Sequence, residues 1–522
     1  MYRRLLRTSR KAIVVVAVVT AASAGLVACN GGEASQSGGE KVLRLALPSA
    51  PSSVNPALIG TGIPDQYYVE PAYDPLIFRA GDGSLQPGLA TKWGFVDDAN
   101  KVFQISLREG VKFADGAELS ADGVKKWFEY WAKSGGLFAQ RFQQFEQIEV
   151  VDKQTIKLHL KASDPLWPTY LTQNRYGYVG SPNAVDNPQA LGTSTDGAGP
   201  YALVPEETNP GNHYVYKARS DYWNKDRKLW DRVEITVISD ANAAVSAMQS
   251  GQVDFVVGQA RDAESAKSAG LAVTHVPYLW DGLILMDRAG QKTPALGSLQ
   301  VRQALNYAVD RKAVANTVFG EYGKANASMV VNGYKSYADD TENLYSYDPA
   351  KAKQLLAQAG YKDGFDLTVC VWNRNGTETT FLQSLLGYLQ DVGVRVHIKD
   401  LVDSATAVAA RRALECPSLA FYGQISESNQ LAVEQLLPNA GLLNPFKTDD
   451  PELAKLLATA QSADAQSIEQ AQKNLQKYIV ENAFYSNYSV SDAVFFTSST
   501  VTAPNVSDAQ PIPTLIDLQP KQ

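Results

Sequence analysis

The side chains that could do chemistry are few and scattered. His159, His213, His275 and His397 are the four histidines, and no HExxH or other ligand spacing joins them. His159 alternates with Leu158 and Leu160, which places it on the face of a strand. No GxxxxGK[ST] run, no GxGxxG after a strand and no GxSxG elbow is present. Cys370 and Cys416 have neither CxxC nor zinc spacing. They can form one bridge in an oxidising compartment or remain two buried thiols, and their spacing does not choose. The chain therefore reads as a non-enzyme with no cofactor and no metal site.

The richer signal is aromatic, with 25 Tyr and 8 Trp. Trp280 in PYLWDG, Trp372 in VCVWNR, Tyr422 in FYGQ, and Tyr485 and Tyr488 in FYSNYS all sit where strands meet loops. Such rings offer apolar area with a polar handle and can line a cleft; ordinary core packing is the competing reading for each. DYWNKDRKLWD, Asp221 to Asp231, mixes acids and bases, as a solvated face with two aromatic anchors would.

These residues need elements to position them. A chain of 522 residues is too long for one core and implies two to four domains or several lobes. Hydrophobic residues at 45% and charged residues at 20% describe a globular protein. The net charge of −7 argues against nucleic acid as partner. KVLRLAL predicts a strand ended by Pro48 and Pro51. VFQISLREGVKF predicts a strand, a turn at Gly110 and a second short strand. LSADGVKKWFEYWAK predicts a helix capped by Ser120, and IEVVDKQTIKLHL a hairpin. RVEITVISD, ANAAVSAMQSG and VDFVVG predict a βαβ unit. SLQVRQALNYAVDRKAVANTVF reads as one helix, with Val301, Ala304, Leu305, Ala308 and Val309 on one stripe. DPAKAKQLLAQAGY opens on Asp348 and Pro349 and stops at Gly360. FDLTVCVW, TTFLQSLLGYLQDVG, VRVHIKD and SLAFYG predict a second α/β block, followed by a last helix and a strand-like tail.

The N-terminus is different in kind. Arg3, Arg4, Arg7, Arg10 and Lys11 precede the uncharged run Ala12–Ala28, as a charged n-region precedes an apolar h-region. LVAC, Leu26 to Cys29, resembles the lipobox of bacterial lipoproteins. That resemblance implies cleavage before Cys29 and a lipid on its thiol. Asn30 to Glu40 would then be a polar tether, reaching roughly 35 Å when extended. One acyl chain anchors only marginally, so several are expected. The competing reading is a permanent anchor helix.

YDPLIF, LQPGLATKW, VFQISLREGVKFADGAELSADGVKKWFEYW, GAGPYAL, RSDYWN, DANAAVSAMQSGQVDF, VRQALNYAVDRKAVANTVFGEYGKA and YDPAKAKQLLAQAGY follow one another along the chain. In this order they resemble the bacterial extracellular solute-binding proteins of family 5, the peptide-, dipeptide- and nickel-binding receptors of ABC importers. The resemblance implies an α/β, periplasmic-binding-protein-like fold of type II with an extra domain and a hinge between two lobes. Domain I would be residues 41–60, 190–276 and 490–522; domain II 61–189; domain III 277–489. It implies a monomeric, exported receptor on the outer face of the cytoplasmic membrane. Its partners would be the permease subunits and their ATPases, and its default cargo a small peptide.

The family fixes the peptide amine with an Asp in a W-x-x-D type loop after a strand. Here that stretch is LAFYGQISESNQLAV, which has no Trp and places Ser426 where the Asp belongs, with Glu427 beside it. Glu427 replaces the Asp, or it is a solvated loop acid and the cargo has no free amine. Tyr422 and Gly423 precede it on the same strand. Arg374, beside Trp372, could pair with a cargo carboxylate, and Pro51 and Ser52 lie in a loop where the family uses backbone contacts. A different cargo (metal chelate, oligosaccharide, opine or modified peptide) is the alternative within the same receptor class. An extracytoplasmic hydrolase or a structural lipoprotein is the alternative outside it.

Overall fold

The computed structural model describes residues 40–59, 63–136, 139–173, 176–330, 336–371, 377–402, 404–424, 436, 443–463 and 466–521. Cys29, Trp372, Arg374, Ser426 and Glu427 lie outside them. β1 (Val42–Leu47) opens the chain. β2 (Ile77–Arg79) pairs β3 (Leu85–Pro87). β4 (Ala90–Phe95), β5 (Val102–Leu107), β6 (Phe145–Val150) and β7 (Thr155–Leu160) make an antiparallel sheet ordered β4-β5-β7-β6. Then come β8 (Tyr201–Leu203), β9 (His213–Ala218), β10 (Arg232–Val237), β11 (Phe255–Gly258) and β12 (Ala272–Leu285). β13 (Gly323–Ala325), β14 (Phe365–Val371), β15 (Val394–Asp400), β16 (Ser418–Gln424) and β17 (Tyr485–Thr497) complete the set. β1 and β8 to β17 form one sheet ordered β15-β14-β16-β12-β17-β11-β1-β10-β9-β8, with β13 also on β17.

Local chemistry explains most boundaries. Ser120 caps the helix Ala121–Lys133 by accepting from Gly123 N at 3.2 Å, and Val124, Trp127, Phe128 and Trp131 bury its apolar stripe. That stripe packs with Trp167, Phe142 and the inner faces of β5 and β7 into an aromatic core of its own. Asp348 caps Pro349–Gln358 through Lys351 N at 2.8 Å. The single helix expected over SLQVRQALNYAVDRKAVANTVF is two, Leu299–Tyr307 and Arg311–Phe319. Asp310 breaks it, because its carboxylate accepts from Ala313 N at 3.1 Å and restarts the chain as an N-cap. The second short strand expected after Gly110 is one isolated bridge, Lys112 to Glu118.

β10, the helix Ala241–Gln249 and β11 form the expected parallel crossover, but β1 lies between the two strands and pairs with both. The tail following the last helix, Ile468–Glu481, is a long central strand, β17. Apolar side chains of β1, β10, β12 and β17 form one core with the tyrosines of the 67–73 region. The other end of the sheet, β12 to β16, is covered on both faces by two further cores. No helix among the described residues is long and apolar enough to cross a membrane.

The two thiols left open by their spacing are joined: Cys370 and Cys416 form a disulfide, with Cα atoms 5.5 Å apart. It ties β14 to the residue pair before β16. Closing a loop over a sequence separation of 46 stabilises a fold by about 2–4 kcal/mol. The double variant Cys370→Ser/Cys416→Ser should lose stability on that scale in denaturant titration, and a non-reducing peptide map of the native chain should contain the linked pair. Two free thiols in the native protein would contradict the bridge.

Candidate functional site

Two groups of parallel strands point at one place. β1, β10 and β11 run parallel and end at Leu47, Val237 and Gly258. β14 and β16 run parallel and end at Val371 and Gln424. The antiparallel strands β12 and β17 connect the two groups. On them Gly258 pairs with Val494, Val494 with His275, and Gln424 with Leu279. From His275 to Leu279 is four residues, about 13 Å of strand. The carboxyl ends of both groups thus face a short neck, and in open α/β sheets ligands bind outside those ends.

The neck is polar where a sheet interior should be apolar. Asp281, Ser486, Asn487, Ser489 and Ser491 are all buried. Asp281 pairs with Ser489 across the strands, and Ser489 Oγ donates to Asp281 Oδ2 at 3.1 Å. Burial pushes the Asp281 carboxyl well above the usual carboxylate range; the serine hydroxyls of β17 lower it in part, and the charge of Glu378 raises it further. Glu378 stands in the first turn of the helix Thr377–Asp391, which follows β14, and is itself buried.

Buried arginines fix the strand geometry. Arg311 Nε donates to Asn487 O at 2.9 Å, and its Nη1 to Asn306 O and Tyr345 O at 2.8 and 2.6 Å. Burial pulls its guanidinium down to about 10. Asn306 Nδ2 reaches Tyr485 O and Ser486 Oγ, both at 3.1 Å. Register shifts fall at Pro277/Leu279 and at Asp281/Gly282.

The described residues predicted for the site do not form one cluster. Pro51 is half-buried and Ser52 exposed in the loop after β1; Ser52 Oγ donates to Leu58 O at 3.3 Å. Trp280 and Tyr485 meet edge to face at 5.1 Å inside a core. Tyr488 is fully enclosed, and its hydroxyl donates to Leu305 O at 3.1 Å. It therefore packs the helix Leu299–Tyr307 and turns no polar handle to a ligand. Tyr422 and Gly423 lie on β16, in register with Asp281 and Trp280. Of the anchors expected in the Asp221–Asp231 stretch, Trp223 Nε1 donates to buried Asp74 at 2.6 Å and Trp230 Nε1 to Leu518 O at 2.9 Å. Sequence reading missed Asp281, Glu378, Ser489 and Ser491. The available signal was a run of small polar residues, SNYSVSD, inside a strand with no alternation. Among the described residues no group of three or more His, Cys, Asp or Glu could hold a metal ion.

β12 and β17 approach each other closely at Gly282. A Cβ there would stand 2.6 Å from Ser486 O and 3.0 Å from Asn487 Cα. Gly282→Ala should destabilise the chain by about 1–3 kcal/mol through backbone displacement, read from denaturant midpoints. An unchanged midpoint would contradict this close approach.

Known proteins share this architecture. The model of bacterial extracellular solute-binding proteins, family 5 (middle), matches residues 84–429. The chain is 30% identical to heme-binding protein A of Haemophilus influenzae over 352 residues, 61% of each chain. It is 30% identical to the glutathione-binding protein GsiB of Salmonella typhimurium over 309 residues, 58% of this chain and 59% of that one. The matched part thus spans about three fifths of these relatives' length. Among solved structures, AgaA of A. tumefaciens with agropinic acid superposes with a TM-score of 0.81 at 22% identity, covering 92% of this chain and 98% of that one. DppA of Helicobacter pylori with the peptide STSA gives 0.78 at 20%, covering 91% and 98%. The fold is the two-lobe type II fold of periplasmic binding proteins, and the chain belongs to the bacterial extracellular solute-binding proteins of family 5.

Proposed function

We propose that the chain is the solute-binding component of an ABC importer, taking cargo at the neck between two lobes and handing it to a membrane permease. The observation that carries this reading is the topology: the carboxyl ends of two parallel strand groups face one neck spanned by β12 and β17. Only two long strands and few side chains need to bend for such lobes to close. A closed, loaded form is then the state a permease recognises. Such a receptor needs affinity without covalent chemistry, so the chain is no enzyme.

We read residues 41–60, 190–276 and 490–522 as the first lobe, 277–489 as the second and 61–189 as an added region; most of the aromatic core around Trp127 falls in the added region, while Tyr67, Tyr68 and Tyr73 pack into the core of β1 and β10. The cargo is peptide-like. Related folds are described with a tetrapeptide, with a nonapeptide and with the opine agropinic acid, which share amide- or amine-bearing, carboxylated small molecules. Opine cargo is the second reading, supported by the superposition on AgaA at a TM-score of 0.81. In the sequence Trp372 and Arg374 follow β14, and Ser426 and Glu427 follow β16; they are the proposed cargo contacts. Cys29 carries the lipid that holds the receptor at the outer face of the membrane.

Two measurements test this. Di- to hexapeptides should raise the melting temperature of the purified chain, by about 2.7 kcal/mol of stabilisation at a hundredfold excess over Kd. A rise with sugars and none with any peptide would overturn the peptide cargo. Cys29→Ser should abolish fatty-acid labelling and release the protein from the membrane fraction; unchanged labelling would overturn the anchor.

A further inference from the structure

Three distant stretches of the chain, around Phe78, Arg227 and Asp517, line a cavity of about 200 Å³. No residue of β12, β14, β16 or β17 lines it. Arg227 lies in the stretch that leads into the amino end of β10, whereas the neck lies at the carboxyl ends. A smaller cavity of about 30 Å³ shares Phe78, Gln173, Arg227, Thr514 and Ile516 with it and is lined beyond them by Glu70 and Asp74. The smaller one holds one or two waters, at about 10–15 Å³ each. The larger one falls below the roughly 300–1,000 Å³ of pockets for drug-sized ligands, and so suits a molecule of a few heavy atoms. Its walls come from the added region and from the first lobe as read above, and ligand sites are favoured where domains meet.

The walls are held by hydrogen bonds of their own. Gln173 brackets the Arg79 backbone: its Oε1 accepts from Arg79 N at 2.8 Å, and its Nε2 donates to Arg79 O at 2.7 Å. Asp517 Oδ2 accepts from Thr514 N at 2.7 Å, and from Thr514 Oγ1 and Gln510 Nε2 at 2.8 Å each. Tyr67 OH donates to Pro513 O at 2.8 Å and pins the same stretch to the core. Walls fixed in advance spare a ligand the cost of ordering them.

Two opposite charges on these walls are left open. Arg227 Cζ stands 3.6 Å from the centroid of the Phe78 ring, so the guanidinium lies over the ring. Its N–H groups make no hydrogen bond or ion pair among the described residues. Glu70 and Asp74 feel the Arg227 charge without bonding to it. Glu70 Oε1 accepts from Leu515 N at 2.8 Å, and burial raises its carboxyl to about 8, so at neutral pH it leaves the guanidinium charge unmatched. Asp74 has one oxygen on Tyr222 and the other on Trp223. On the other wall, Asp517 Oδ1 accepts no hydrogen bond among the described residues, because all three donors go to Oδ2. Arg227 and Asp517 line the one cavity without pairing with each other. The side-chain amide of Asn224, on the same walls, is unbonded among the described residues as well.

We propose that this cavity binds a small zwitterion of the α-amino acid class, with its carboxylate on Arg227 and Asn224, its ammonium on Asp517 Oδ1, and a short side chain against Phe78 and Ile516. It is a second ligand site, separate from the cargo site at the neck, and it does not depend on the receptor reading. A guanidinium offers a carboxylate two parallel N–H donors. The Asp517 charge on the same walls disfavours a phosphate dianion. Bound ligand ties the stretch around Phe78 to the stretch around Asp517, and so stabilises the folded chain by mass action.

The test titrates the full chain with L-alanine, N-acetyl-L-alanine and L-alaninamide, read by saturation-transfer NMR and by melting temperature. L-alanine should bind, and each of the other two should bind about tenfold more weakly or worse, since each lacks one charged group. Arg227→Met, which keeps an apolar stem on Phe78, should lose L-alanine binding and still retain co-purified cargo. Asp517→Asn should bring L-alanine and N-acetyl-L-alanine to within about twofold; should that variant fold poorly, the three probes on the native chain decide. Equal binding of the three probes overturns the proposal, as does an L-alanine signal that does not saturate, survives Arg227→Met or is lost in Glu427→Gln instead.

Discussion

The pairing of β12 with β17 is the constraint on which the rest depends. Among the described residues these strands of 14 and 13 residues are the longest, and each contributes side chains to the cores of both strand groups. β17 pairs β11 at one end and β13 nearer the middle, while β12 pairs β16 at its other end. Every parallel strand is placed, directly or through a neighbour, by its register against this pair. The neck must therefore be both accurate and pliant. Accuracy comes from the ladder and from Arg311, whose guanidinium clamps backbone carbonyls of three segments. The register shifts at Pro277/Leu279 and Asp281/Gly282 are irregularities at which a ladder bends with little loss.

The composition of the neck follows from the same demand. Apolar side chains across it would fuse the two cores into one and resist opening. Ser486, Asn487, Ser489 and Ser491 interrupt the apolar face, and most of their polar groups are paired locally, as Ser486 with Asn306 and Asn487 Nδ2 with Asn326 O. Asp281 Oδ1, Asn487 Oδ1 and Ser491 Oγ are the exceptions, buried without a geometric hydrogen-bond partner among the described residues. The disulfide between Cys370 and Cys416 ties β14 to the residues before β16 and so cross-links the second strand group behind the neck.

Much of this was legible in the sequence. Ser120, Asp348 and Gly360 marked helix ends through local chemistry, and the structure places them there. The order of family-like segments named the fold before any geometry was known. What failed to show has physical causes. Asp310 broke a helix inside an unbroken apolar stripe, because a cap competes with periodicity and the stripe continues across the break. β17 read only as a strand-like tail, because a strand buried on both faces loses its alternation. Trp280 and Tyr488 drew attention as aromatics at strand ends and pack into cores, whereas Asp281, one residue from Trp280, passed unnoticed. Its significance lies in burial and in an absent partner, which no single sequence displays.

The central claim is that the lobes close over cargo about β12 and β17. The direct measurement is small-angle X-ray scattering of the full chain carrying its co-purified cargo, then of the same protein after unfolding, dialysis and refolding have removed it. The account predicts a larger radius of gyration for the stripped chain and a return to the smaller value when the recovered cargo is added back. An identical radius in all three states, with cargo binding verified by native mass spectrometry, would contradict it.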